Sequence, residues 1–296
     1  MMRLSKTLFV LLALAILSQQ TPLPYGPQGG EGEPNREQPW LVPTPLDDRA
    51  AHAVLYRPPG DGPFQLAVIA HATTQNVLRR AQMPPPEYRA LAGFLVERGF
   101  AVLVPERLGH GATGGSYLED QGGCDEADYV RSARATADQI RLALAFMRGQ
   151  SFVRPDGAIL IGHSAGGWGA LALANEDPTA IAAIIAFAPG RGAHANDFEN
   201  RICAPQTLIA AAGTFGRAAR VPVTWLVAAN DTYFSPAFSK RLVDAFRTAG
   251  GRVDFRPLPA YDSEGHWLPE SESGVKLAAT ELDRALMGQA APGKKR

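Results

Sequence analysis

Short β-branched apolar runs alternate with longer amphipathic stretches from about residue 47 to the C-terminus, and this alternation does most to limit what the chain can fold into. The runs "HAVLYRP" from His52, "LAVIAHA" from Leu66, "FAVLVP" from Phe100, "AILIG" from Ala158, "AIIAFAP" from Ala183, "VTWLVAA" from Val223 and "VDFRPL" from Val253 read as strands. Between them, "PEYRALAGFLVERG", "DEADYVRSARATADQIRLALAFMRG", "SPAFSKRLVDAFRTAGG" and "GVKLAATELDRALMG" read as helices, each running into a glycine. Strands and helices in alternation predict an α/β fold, a mostly parallel central sheet flanked by helices. With 296 residues, 46% of them hydrophobic, the chain can bury one large core, and one α/β domain spanning 46–290 is expected.

The N-terminal region is different. Arg3 and Lys6 precede an uncharged run from Thr7 to Ser18, so residues 1–20 read as a signal peptide or, if uncleaved, an N-terminal anchor. An exported protein, periplasmic or secreted, is expected. Residues 21–45 are rich in Pro, Gly, Gln and Glu and read as a linker. The two cysteines, Cys124 and Cys203, are an even count in a chain read as exported, and both follow strand ends on one side of the sheet. A disulfide between them is expected to brace the rim of the site; two buried free thiols are the alternative. The 29 basic and 29 acidic residues form no long block of either sign, which argues against a surface made for nucleic acid or anionic lipid.

The chemistry centres on "IGHSAGG". Gly162-His163-Ser164-Ala165-Gly166 fits G-x-S-x-G, and it sits between an apolar strand and a small-residue helix, the setting a nucleophile elbow requires. Glycines on either side allow a strained serine turn where strand and helix pass closely. A serine hydroxyl needs a base to take its proton and an acid to hold that base in one tautomer, and on such an elbow the three follow in the order Ser, acid, His. Asp231, in "NDTYF" after a strand, is the expected acid, although it could instead cap the helix that begins near Ser235. Asp262 and Glu264 compete for the role, but they lie close to the histidine and read as turn residues. Of the six histidines only His266, in "YDSEGHWLPE", satisfies the order, and it is the expected base. The oxyanion donors are expected to be the backbone N–H groups of Ala165 and of Thr73 in "AHATTQN", with His71 a loop anchor. Tyr117, Trp168, Tyr233, Phe234 and Trp267 flank these motifs and line a pocket or pack the core, Trp168 favouring the core. The segment from Gly190 to Arg220 is long enough for a small lid. Neither zinc-ligand spacing nor a phosphate-binding loop is found, so no metal and no cofactor is expected.

From about Pro39 onward the chain resembles the α/β-hydrolase superfamily, and "VLVPERLGHGATGG" and "IGHSAGGWGALALA" resemble its dienelactone-hydrolase-like branch. The resemblance implies an eight-stranded, mostly parallel sheet and hydrolysis without a cofactor. The enzymes that named the branch carry a cysteine nucleophile. Ser164 in its place points to a broader esterase, and "HATT" stands where many relatives have His-Gly. The expected function is therefore a serine hydrolase acting on a small-molecule carboxylic ester. A serine peptidase or amidase on the same triad, and a non-catalytic binding protein retaining the fold, are the alternatives.

Overall fold

A computed structural model describes residues 24–288; the expected signal in residues 1–20 lies outside them. Among the described residues nine strands form one sheet: β1 (Gly26–Pro27), β2 (Gln38–Pro43), β3 (Ala50–Tyr56), β4 (Gln65–Ala70), β5 (Phe100–Pro105), β6 (Ala158–His163), β7 (Ile181–Phe187), β8 (Val223–Ala228) and β9 (Val253–Leu258). Their order is β1-β2-β3-β5-β4-β6-β7-β8-β9. The pairings β1–β2, β2–β3 and β3–β5 are antiparallel, and every pairing from β5 through β4 to β9 is parallel.

Parallel central strands covered on both faces need apolar side chains on both faces, which is why they read as unbroken apolar runs. Successive side chains alternate between two cores. Along β6, Ala158 and Leu160 enter one core while Ile159 and Ile161 enter the other. The first core is closed by helices α3 (Tyr129–Arg148), α4 (Ala165–Ala172), α5 (Pro205–Ala218) and α6 (Pro236–Thr248), and the second by α2 (Arg89–Val96) and α7 (Glu272–Met287). A short helix α1 (Val77–Ala81) lies in the connection between β4 and α2. None of the helices in the described residues is long and apolar enough to cross a membrane.

Three expectations need correction. The Pro/Gly-rich segment is not a linker as far as residue 45: β2 pairs with β3 from Gln38 to Pro43, and Trp40 and Val42 are buried in the first core. Trp40 meets Phe146 and Phe152 edge-on, and its indole N–H donates to Gln38 Oε1 at 2.9 Å. Glycine and proline dominate the composition there, yet Gln38, Trp40 and Val42 alternate inward with the period of a strand. With β1 added, the sheet has nine strands instead of eight. Nor is the Gly190–Arg220 segment a lid. Its main element, α5, buries Leu208, Ala211, Ala212 and Phe215 in the first core, and Phe215 packs on Trp168 with ring centroids 5.1 Å apart.

Candidate active site

Ser164 occupies the single residue between β6 and α4, at φ +54° and ψ −117°. A non-glycine residue tolerates that backbone only when its surroundings enforce it. Here they do: Ser164 N–H donates to Phe187 O at 2.9 Å, while Ser164 O accepts from Trp168 and Gly190 N–H at 2.9 and 3.2 Å. The flanking glycines are required by space. A Cβ on Gly162 would lie 2.3 Å from Gly167 Cα, and one on Gly166 would lie 2.1 Å from Ala70 O. The first turn of α4 therefore rests directly on the loop that leaves β4.

His266 and Asp231 come together from the loops after β9 and β8. His266 Nδ1–H donates to Asp231 Oδ2 at 2.9 Å, and both side chains are buried. Asp231 Oδ1 accepts the N–H groups of Tyr233 and Phe234 at 2.8 and 2.7 Å. Asp231 is thus no helix cap; Ser235 caps α6 instead. Burial pulls the His266 pKa below its ordinary value despite the carboxylate that opposes the shift. Burial works against ionised Asp231, but its hydrogen bond to His266 and its two backbone donors keep its pKa low. His266 and Ser164 share no hydrogen bond among the described residues. Such contacts often tighten only when substrate is bound.

Glu264, one of the competing acids, ties the two loops instead. Its carboxylate accepts from Thr232 N–H at 3.1 Å, from the Thr232 hydroxyl and from His266 N–H at 2.9 Å. The Asp262 carboxylate accepts from the N–H of Ser263 at 2.8 Å, and its backbone O accepts from Asn230 Nδ2 at 3.0 Å. Tyr233 has a role beyond lining: its ring stacks on His266 with centroids 4.2 Å apart, and His194 stacks on Tyr233 at 3.6 Å. Trp168 is core, fully buried, with its N–H on Tyr129 O at 2.9 Å.

Thr73 lies just beyond β4, and His71 fixes the peptide that carries its N–H. Arg107 N–H donates to His71 Nε2 at 3.1 Å, which leaves the His71 proton on Nδ1, where it bonds Ala72 O at 2.5 Å. In a trans peptide the N–H points opposite to the C=O, so the Thr73 N–H is turned away from His71. The Thr73 hydroxyl meets His110 Nε2. Burial pushes His71 well below its ordinary pKa and His110 down to about 4, so both act as neutral anchors near pH 7.

Sequence reasoning missed what lies behind this loop. Glu119 is fully buried between Arg107 and Arg191, with Gln139 Nε2 donating to it at 3.0 Å. Burial alone would raise the Glu119 pKa, but the two guanidinium groups overcome that and hold it low. Arg107 also donates to His71 O at 2.8 Å, and Arg191 follows the Gly190 that holds Ser164 O. This Arg–Glu–Arg group therefore joins the supports of the loop after β4 and of the elbow. Substituting Glu119→Gln strands two buried cations, and removing one partner of a buried pair costs about 3–5 kcal/mol. Chemical denaturation should show a loss of that size. An unchanged midpoint would mean that the triad contributes nothing to stability.

Cys124 and Cys203 form a disulfide, with Cα atoms 4.6 Å apart, joining the loops that lead into α3 and α5. A cavity of about 850 Å³ opens beside the loop after β4. Ala72, Thr73, Met83, Tyr88, Trp267 and Glu270 line it together with Pro84, Pro85 and Pro86. Ser164 and His266 are not part of its wall; Trp267, which is, meets His266 with ring centroids 5.2 Å apart.

The comparisons with known proteins agree with this architecture. The family model for serine aminopeptidases, S33 (Hydrolase_4), matches residues 86–220, which include Ser164 and stop short of Asp231 and His266. Est1E of Butyrivibrio proteoclasticus, solved with ferulic acid bound, superposes with a TM-score of 0.58 at 16% identity, covering 85% of this chain and 99% of that one. A serine α/β-hydrolase without a lid from Xanthomonas campestris gives 0.54 at 17% identity, over 85% and 95% of the two chains. A Klebsiella pneumoniae protein assigned as a dienelactone hydrolase gives 0.52 at 15% identity, over 87% and 100%. No curated protein matches the sequence. The chain has the α/β-hydrolase fold, as the resemblance implied, and the serine aminopeptidase, S33, model covers its elbow.

Proposed function

We propose that this protein is an exported serine esterase acting on a small-molecule carboxylic ester through Ser164, His266 and Asp231. The observation that carries the reading is the buried His266–Asp231 hydrogen bond, formed at the end of the sheet where the strained Ser164 elbow lies. In the reaction, His266 Nε2 takes the Ser164 proton as Oγ attacks the ester carbon. The N–H groups of Ala165 and Thr73 hold the negative oxygen that develops. Collapse expels the alcohol, which receives the proton from His266. Water, deprotonated by the same nitrogen, then attacks the acyl-serine and releases the acid.

The cavity beside Thr73 supports a small ester with an apolar body. Proline, methionine and aromatic side chains form much of its wall. Est1E, similar in fold, was solved with an aromatic acid bound, which makes aryl esters good first substrates. Export rests on the basic and apolar N-terminal sequence, and the disulfide suits an oxidising compartment. The S33 family description favours amide cleavage as a second reading.

A fluorophosphonate probe tests the assignment. One equivalent should attach, and peptide mass analysis should place it on Ser164. No attachment, or attachment elsewhere, would overturn the reading. Phenyl and p-nitrophenyl esters should then turn over faster than the matching aminoacyl anilides; the reverse would establish the amidase.

A further inference from the structure

Tyr88 stands out among the described residues outside the triad. It caps α2 at φ +47° and ψ +37°, a left-handed conformation that a bulky residue seldom adopts. Three prolines, Pro84 to Pro86, lead into it. Its ring is buried and its hydroxyl lies where three separate segments meet.

On one side the hydroxyl oxygen accepts the N–H of Ala72 at 3.3 Å. On the other it is 2.9 Å from His163 Nδ1 and 3.3 Å from Glu270 Oε1, and Glu270 Oε1 is 3.2 Å from the same imidazole nitrogen. His163 Nε2–H then donates to the backbone O of His266 at 2.8 Å. A continuous path of hydrogen bonds thus runs from the loop carrying the Thr73 N–H, through one phenol, to the backbone of the base. His163 adjoins Ser164 in sequence, so the path also touches the elbow. Ala72 is held twice, at its N–H by Tyr88 and at its C=O by His71. Burial pushes the phenol pKa well above its ordinary value, so the hydroxyl keeps its proton and can both donate and accept.

We propose that Tyr88 is a positioning residue for the ester hydrolysis assigned above, its hydroxyl keeping the Ala72–Thr73 donor loop and the His266 loop in register around Ser164. The inference rests on that assignment. Among the described residues Tyr88 makes no hydrogen bond or ring contact with the side chains of Ser164 or His266, and it acts through the groups it holds. Displacing catalytic groups by about 1 Å can cost about 100-fold in rate, whereas binding in a cavity walled largely by other residues should change little.

The test compares the parent, Tyr88→Phe, Glu270→Gln and the double variant on p-nitrophenyl acetate, with thermal melts to show folding and fluorophosphonate labelling rates measured in parallel. Tyr88→Phe should lower kcat about 10- to 100-fold with KM within about threefold of the parent, and labelling should slow by a similar factor. Glu270→Gln should lower kcat about 3- to 10-fold, and the double variant should match Tyr88→Phe within about twofold, because both groups act through one path. If folded Tyr88→Phe keeps its kcat within twofold, or if the two effects multiply in the double variant, the proposal is overturned. Should Tyr88→Phe fail to fold, Glu270→Gln alone decides, and an unchanged kcat there overturns it. A parent that is labelled but cleaves no ester refutes the esterase assignment while the labelling rates still judge Tyr88. A parent that is never labelled overturns both.

Discussion

Replacing Ser164 with alanine should lower ester turnover by about 10⁴- to 10⁶-fold while leaving the fold intact. The magnitude follows from the chemistry: without Oγ no acyl-enzyme forms, and what survives is the modest catalysis available from oxyanion donors and binding alone. The fold should persist because the backbone bonds that enforce the turn use Ser164 N and O, not its hydroxyl. Alanine pays the same steric penalty as serine at φ +54°, so denaturation midpoints should nearly coincide. A companion Ser164→Gly change relieves that penalty and should stabilise the protein by about 1 kcal/mol with the same loss of turnover. The contrast separates strain held for chemistry from strain held for folding. Progress curves on a p-nitrophenyl ester with urea titrations of the three proteins provide the test. More than about 1% of parental turnover in the alanine variant would mean that another group attacks the ester.

What the sequence disclosed, and what it concealed, follows from the range of the interactions. The central strands were legible because each must satisfy two cores, which forces unbroken apolar runs such as Phe100–Pro105. The elbow was legible because a tight turn between strand and helix leaves no room for side chains at Gly162 and Gly166. The pairing of Asp231 with His266 could be expected from chain order, since order is a property of the string. β2 was hidden by its prolines, and only the alternation of Gln38, Trp40 and Val42 carried its signal. α5 was mistaken for a lid segment because its alanines and glycines carry little apolar weight, although Leu208 and Phe215 mark its inner face. The Arg107–Glu119–Arg191 triad and the path through Tyr88 left no local mark. Each joins residues more than 70 positions apart, Arg191 to Glu119 and Tyr88 to His163, and no periodicity connects such positions.

Asp231→Asn should cost about 10⁴-fold in kcat, and the reason lies in the two backbone donors that fix the side chain. Tyr233 and Phe234 N–H both point at Oδ1 and require an acceptor there. In asparagine the carbonyl oxygen must stay with them, so the amide NH₂ is turned toward His266 Nδ1. That nitrogen can then only accept. The imidazole proton moves to Nε2, the nitrogen that should take the proton from Ser164, and the base is held in the unproductive tautomer. The pH profile supplies a second reading. The base must be neutral, so kcat/KM rises with pH through the His266 pKa. Burial already depresses that pKa below 6.5 while Asp231 opposes the shift, so the parent limb should lie below 6.5. Removing the carboxylate removes the opposition, and the residual activity of Asp231→Asn should rise at lower pH still. Glu264→Gln is the control, because Glu264 holds the N–H of His266 and not its ring. It should cost far less in kcat and lower the limb less than Asp231→Asn does, since the Glu264 charge raises the His266 pKa less than Asp231 does. If Glu264→Gln gave the larger loss, or if the Asp231→Asn limb moved upward, Asp231 would not be the carboxylate that orients the base.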